Sequence, residues 1–173
     1  MGLMNFFFGR KTDPTASWPV TSFTLPEIDL QVGSIGPVKP GSPLNKAIIF
    51  GKPDSFKWSK DGNCELLYAR QGFLLEYENQ LLVYFAFFID DDEFLPAHPD
   101  LAFSRPLIKG HGQLSADTDR QTLVSWLGAP SSEDIDSEET ILVYNRNSLT
   151  IEFELNTSGH LKRLNVFPDE KDT

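Results

Sequence analysis

Few residues in this chain are spaced for chemistry, and those that stand out are acidic. Glu76 and Glu78 flank Tyr77 in one strand-like run, and Glu152 and Glu154 flank Phe153 in another, so each pair points to a single face of its strand. Paired carboxylates can perform acid–base catalysis or hold a basic partner. Catalysis requires a shifted pKa, which needs burial or a close charge, and outward carboxylates on a half-exposed sheet have no such cause. Both pairs are therefore read as partner-binding residues. The acidic stretch 131–140 is read as a solvated loop, with Glu133, Asp134 and Asp136 as further candidate contacts. Asp90-Asp91-Asp92-Glu93 lacks the spaced ligands and the glycine of a calcium loop and reads as a solvated strand end.

The remaining reactive residue types are sparse. His98, His111 and His160 are far apart in sequence and, with the single cysteine Cys64, form no recognisable zinc-ligand spacing, so no metal or cofactor is expected. His111 lies between Gly110 and Gly112 with no lysine or nucleophile placed beside it, which suits a turn better than a phosphate cradle or a catalytic centre. Cys64 reads as a strand residue of the core. Trp58, in the polar stretch 54–63 with Phe56 nearby, is a candidate interface anchor. Trp18 and Trp126 read as packing residues. With no catalytic set, no enzymatic activity is expected.

The totals agree with a binding role. The 173 residues carry 25 acidic against 15 basic side chains, a formal charge of -10. That balance argues against a nucleic-acid binder that works by neutralising phosphates and favours a basic protein partner. With 40% hydrophobic and 12% aromatic residues, a core is well supplied, and a chain of this length buries roughly 70% of its unfolded surface. A single cysteine excludes an internal disulfide and fits a reducing compartment. Residues 1–8 are apolar but too short to span a bilayer, and no basic stretch precedes them as in a secretory signal. They are expected to pack on the domain or a neighbour; Arg10-Lys11 after Phe6-Phe7-Phe8 makes interfacial membrane anchoring the alternative.

The elements that must position these residues recur. Setting 30–88 against 107–167 places Phe50-Gly51-Lys52-Pro53 over Leu127-Gly128-Ala129-Pro130, Leu67-Tyr68-Ala69-Arg70 over Val143-Tyr144-Asn145-Arg146, and Leu75-Glu76-Tyr77-Glu78 over Ile151-Glu152-Phe153-Glu154. In each half a short helix pattern precedes the Gly-x-Pro. Leu44, Ala47 and Ile48 supply its apolar face in the first, after a Ser42 cap. Leu123, Val124 and Leu127 supply it in the second, after a Thr118/Gln121 capping box. Strand patterns follow, with Phe73, Leu75 and Tyr77, and later Ile151, Phe153 and Leu155, facing inward. The nearly continuous apolar run 81–89 reads as a central strand covered on both faces.

The expected organisation is an irregular lead-in at 1–28, a first unit at 29–93, a proline-rich linker at 94–106, a second unit at 107–168 and a tail at 169–173. The expected fold class is α+β: two tandem helix-plus-antiparallel-meander repeats, with the helices packed on one face of the sheet.

On Gly51 and Pro53, Gly128 and Pro130, Tyr68, Tyr144 and the paired strand patterns, the chain resembles the repeat of beta-lactamase-inhibitory-protein-like folds and is similar to the small outer-membrane lipoprotein A domain. Those families are mostly binding modules: enzyme inhibitors, assembly lipoproteins and immunity proteins that neutralise bacterial toxins. The resemblance implies a non-catalytic binder. Without a signal-like segment or a lipidation cysteine near the N-terminus, a cytoplasmic immunity protein against a basic, nuclease-like toxin is expected. An adaptor or chaperone of a bacterial secretion system is the alternative.

Overall fold

The apolar run that begins at Leu81 becomes the strand on which the sheet is built. The computed structural model describes residues 12–58, 63–92 and 95–169; the apolar segment 1–8 and Glu93 of the acidic run lie outside them. Two short strands, β1 (Ile28–Asp29) and β2 (Ser34–Ile35), form a small ribbon. The others are β3 (Ser55–Trp58), β4 (Cys64–Tyr68), β5 (Phe73–Glu78), β6 (Leu81–Phe88), β7 (Ser132–Ile135), β8 (Glu139–Arg146), β9 (Leu149–Asn156) and β10 (Leu161–Pro168). Among the described residues these eight make one antiparallel sheet in the order β3-β4-β5-β6-β10-β9-β8-β7. Strand β6 thus pairs with β5 on one side and β10 on the other.

The expected α+β class is corrected. The described chain is mostly a single continuous antiparallel sheet, and it is not two helix-plus-meander repeats. Its helical content is a 3-10 helix at Leu44–Phe50, a further turn at Ala69–Gln71, and the eight-residue helix α1 (Arg120–Leu127). Two stretches read as loops are edge strands instead: β3 pairs with β4 and β7 with β8. Polar composition hid β7, because a strand with one free edge can leave its side chains in water while half of its backbone groups are paired; β3 is only four residues long and its Phe56 and Trp58, packed against the core, stand in an otherwise polar stretch. All four residues of β7 are exposed.

The helical segments also differ in detail. A 3-10 helix repeats every three residues, so Leu44, Ala47 and Phe50 are buried while Ile48 is 45% exposed. Ser42 does not cap it; its hydroxyl accepts from the Lys39 N–H at 3.1 Å. In α1 the cap is Asp119, whose carboxylate accepts from the Thr122 N–H at 2.8 Å, while Thr118 accepts from Ser115.

Both helical segments sit on the same side of the sheet, over a core that includes Leu66, Tyr68, Phe73, Phe85, Phe153 and Leu164. Corresponding tyrosines anchor them. The Tyr68 hydroxyl donates to the Gly51 carbonyl at 3.2 Å and that of Tyr144 to the Gly128 carbonyl at 3.3 Å. The lead-in contributes Phe23, whose ring lies 5.4 Å from Phe50 and 6.1 Å from both Tyr68 and Phe73. Among the described residues no helix is long and apolar enough to cross a membrane.

On the opposite side, Leu67, Ala69, Leu74, Ala86 and Phe88 form a smaller cluster, packed by Leu95 and Leu101 of the 95–106 strap. The Ala102 N–H donates to Ala69 at 2.9 Å and the Ser104 N–H to Phe88 at 2.6 Å. Gly72 makes this close crossing possible: at φ +67 it has a left-handed backbone, and a Cβ there would stand 2.7 Å from Ser104 N. Gly72→Ala is expected to lower unfolding free energy by about 2 kcal/mol through backbone strain and the displaced strap, read as an earlier midpoint in urea.

Candidate functional site

Alternation along the strands decides what the second face presents. Where the inward side of β5 gives Phe73, Leu75 and Tyr77 to the core, its outward side gives Leu74 to the strap cluster and then Glu76. Strand register sets Glu65 opposite Glu76, and Glu76 opposite Tyr84. On β10, Arg163, Asn165 and Phe167 alternate with the core residues Leu164 and Val166. Beyond the strap these side chains border a trough of about 720 Å³, lined by Glu65, Glu76, Glu78, Tyr84, Arg163 and Phe167, with Leu74, Val83, Phe88 and Pro96 as apolar wall.

One end of the trough holds carboxylates. Glu65 is ion-paired with Lys57 at 3.2 Å. Glu76 and Glu78 have no ion-pair partner among the described residues. Burial, reinforced by the charges of Glu65 and Glu78, pushes the Glu76 carboxyl above its ordinary range. The outward glutamate is therefore half-buried and electrostatically frustrated, contrary to the expectation of an unshifted surface carboxylate.

The other end is a connected polar wall. Arg163 meets Asp92 at 2.5 Å and Glu154 at 3.8 Å, and its guanidinium lies 5.8 Å from the Phe88 ring centre. Asn165 donates to Glu154 at 2.5 Å and accepts from the Tyr84 hydroxyl at 2.8 Å. Lys162 continues the chain to Glu139 at 2.6 Å and Asp92 at 3.9 Å. Asp92 is only 9% exposed, so this part of the acidic run is a buried anchor and not a solvated strand end. Burial raises the Glu154 carboxyl, an effect opposed by Arg163 and Asn165. Burial and then Glu154 raise that of Glu152.

The candidate residues separate accordingly. Glu76 and Glu78 share the trough, whereas Glu154 is engaged by Arg163 and Asn165 and Glu152 is half-buried beside it. Trp58 packs edge-on against Phe56 at 5.2 Å on the core side. It also borders a recess of about 270 Å³ with Glu76, Glu78 and Tyr77. Glu133 is held by Arg120, at 2.5 Å and 3.1 Å, and ties β7 to α1. Asp134 is exposed on that edge strand. Asp136 accepts from the Glu138 and Glu139 N–H groups at 2.7 and 2.9 Å and shapes the turn into β8.

The other reactive types stay apart from the trough. His111 stacks on Trp126 at 5.7 Å, and buried Cys64 has its thiol pushed up to about 11 by burial. Among the described residues no group of three or more His, Cys, Asp or Glu is placed to hold a metal. Sequence reading missed Asp92, Arg163, Asn165 and Tyr84 as a unit. Tyr84 lies on β6, Arg163 and Asn165 on β10 and Asp92 in the loop after β6, and no local spacing signals that they meet.

No family model matches the chain, and no curated protein matches it. Among solved structures it is similar to the crystal structure of a DUF4309 family protein (YjgB) from Bacillus subtilis subsp. subtilis str. 168, at 13% identity over 72% of this chain and 76% of that one, with a TM-score of 0.42. At that level the likeness carries no argument.

Two outcomes are expected. Below the ordinary carboxyl value of 4.5, Glu76 is protonated in both folded and unfolded chains; as pH rises through its raised folded pKa, the fold must carry a half-buried charge and loses stability. Glu76→Gln should therefore raise the thermal midpoint near neutral pH and leave it unchanged below the ordinary carboxyl value. Asp92→Ala leaves Arg163 without its closest carboxylate and should lower unfolding free energy by about 3–5 kcal/mol, measured by urea titration.

Proposed function

We propose that this chain is a non-catalytic protein-binding module that seats a basic segment of a partner in the trough of its second sheet face. The carrying observation is that Glu76 and Glu78 have no cationic partner among the described residues, beside an apolar wall. A half-buried carboxylate flanked by like charges weakens the fold, and a lysine or arginine brought by a partner would relieve it. The net charge of -10 would speed the approach of such a partner. Within this class we favour a cytoplasmic immunity protein against a basic toxin, such as a nuclease whose polyanionic substrate the trough imitates. That choice is supported by the resemblance of the paired Gly-x-Pro and tyrosine motifs and by the charge.

The test is capture from the native organism, comparing the unaltered chain with the Glu76→Gln/Glu78→Gln variant. The expected catch is one basic protein whose toxicity the unaltered chain suppresses, with affinity lowered about tenfold or more in the variant through loss of desolvated charge pairs. A catch held equally by both would exclude the trough as the site, and a secretion component in its place would favour the adaptor role.

A further inference from the structure

We propose that the open end of the trough is an arginine site, in which the guanidinium of one partner arginine bridges Glu76 and Glu78 against the ring of Tyr84. The arginine site deepens the binding role proposed above and rests on it.

The second half of the sheet supplies the pattern. Glu76 and Glu78 of β5 correspond in the sequence repeat to Glu152 and Glu154 of β9. In the β9–β10 hairpin the register sets Glu152 opposite Asn165 and Glu154 opposite Arg163. In the β5–β6 hairpin it sets Glu76 opposite Tyr84 and Glu78 opposite Leu81. One pair of carboxylates therefore faces an amide and a guanidinium, and the other faces a phenol ring and a leucine. Arg163 shows how such a cation is held: it donates to Asp92 at 2.5 Å, stands 3.8 Å from Glu154 and lies 5.8 Å from the Phe88 ring centre. At the open end Glu76 and Glu78 supply the two carboxylates. Tyr84, its hydroxyl held by Asn165 at 2.8 Å, supplies the ring beside Phe167.

Two properties select arginine over lysine. A flat guanidinium with five N–H donors can bridge two carboxylates while resting on an aromatic face, and it keeps its charge where burial drives an ammonium to lose its proton. A lysine already stands in the same cross-strand row: Lys57 pairs with Glu65 at 3.2 Å, Glu65 lies opposite Glu76, and Glu76 still has no ion-pair partner among the described residues.

The test is NMR titration of the full chain, following the Tyr84 ring, with acetyl-Gly-Arg-Gly-amide and its lysine and citrulline counterparts at one ionic strength. The arginine peptide is expected to bind about tenfold or more tighter than the lysine peptide, because the second carboxylate and the ring add to a single charge pair. The uncharged citrulline peptide should not bind. Glu76→Gln should weaken the arginine peptide about tenfold, while Asp134→Asn, the same loss of charge on the exposed edge strand β7, leaves it unchanged. A lysine peptide that binds as tightly as the arginine peptide overturns the arginine site and leaves capture of a basic segment standing. The arginine site is equally overturned if neither cationic peptide binds, if citrulline binds as tightly as arginine, or if Glu76→Gln has no more effect than Asp134→Asn.

Discussion

The pairing of β6 with β10 is the constraint on which everything else depends. Its register sets Phe85 opposite Val166, Ala86 opposite Asn165, Phe87 opposite Leu164 and Phe88 opposite Arg163. A slip of one residue in β10 would turn Leu164 and Val166 toward the trough and drive Asn165 and Arg163 into the core. The same ladder therefore fixes the apolar side of the sheet and the polar wall on its reverse. The two-residue turns on either side help to hold it: Asn79-Gln80 and Asn147-Ser148 have positive φ at both positions, the geometry that follows the twist of paired strands.

The two ends of the trough use charge in opposite ways. At the wall, Arg163 is enclosed by Asp92, Glu154 and the Phe88 ring, while Asn165 carries the chain of contacts on to Tyr84. Buried ions are tolerated when paired: Arg163 is paired with Asp92 through Nη2, while its buried Nε stands 3.8 Å from Glu154 without a hydrogen-bond acceptor among the described residues. At the other end, burial and like charge oppose the ionised Glu76. One end of the trough is thus held by paired charges, and the other carries a half-buried carboxylate among like charges.

Much of the sheet was legible because its signal is local. The alternation of Phe73, Leu75 and Tyr77 with Leu74, Glu76 and Glu78 gave the face of each residue, and the apolar run from Leu81 gave a strand paired on both sides. The edge strands β3 and β7 were not legible: Ser132, Glu133 and Asp134 look like loop residues, and only pairing with β8 makes them a strand. The helix of 44–50 was legible as an apolar stripe but not as a three-residue repeat, and that difference decides between Ile48 and Phe50 as the buried side chain. In the site, the outward direction of Glu76 and Glu78 followed from period two. That Asp92 would be consumed by Arg163 did not, since 71 positions separate them and no local rule brings them together.

The exposed edge at β7 also governs how the molecule behaves among its own copies. An unpaired strand edge is a template for growth, since its free N–H and C=O groups accept any arriving strand. Here the template carries Glu133 and Asp134, one of them steadied by Arg120. A second copy pairing edge to edge would bring its own carboxylates against these, a like-charge arrangement that penalises cross-strand pairing. The charges on β7 thus oppose extension of the sheet into a fibre of itself at this edge.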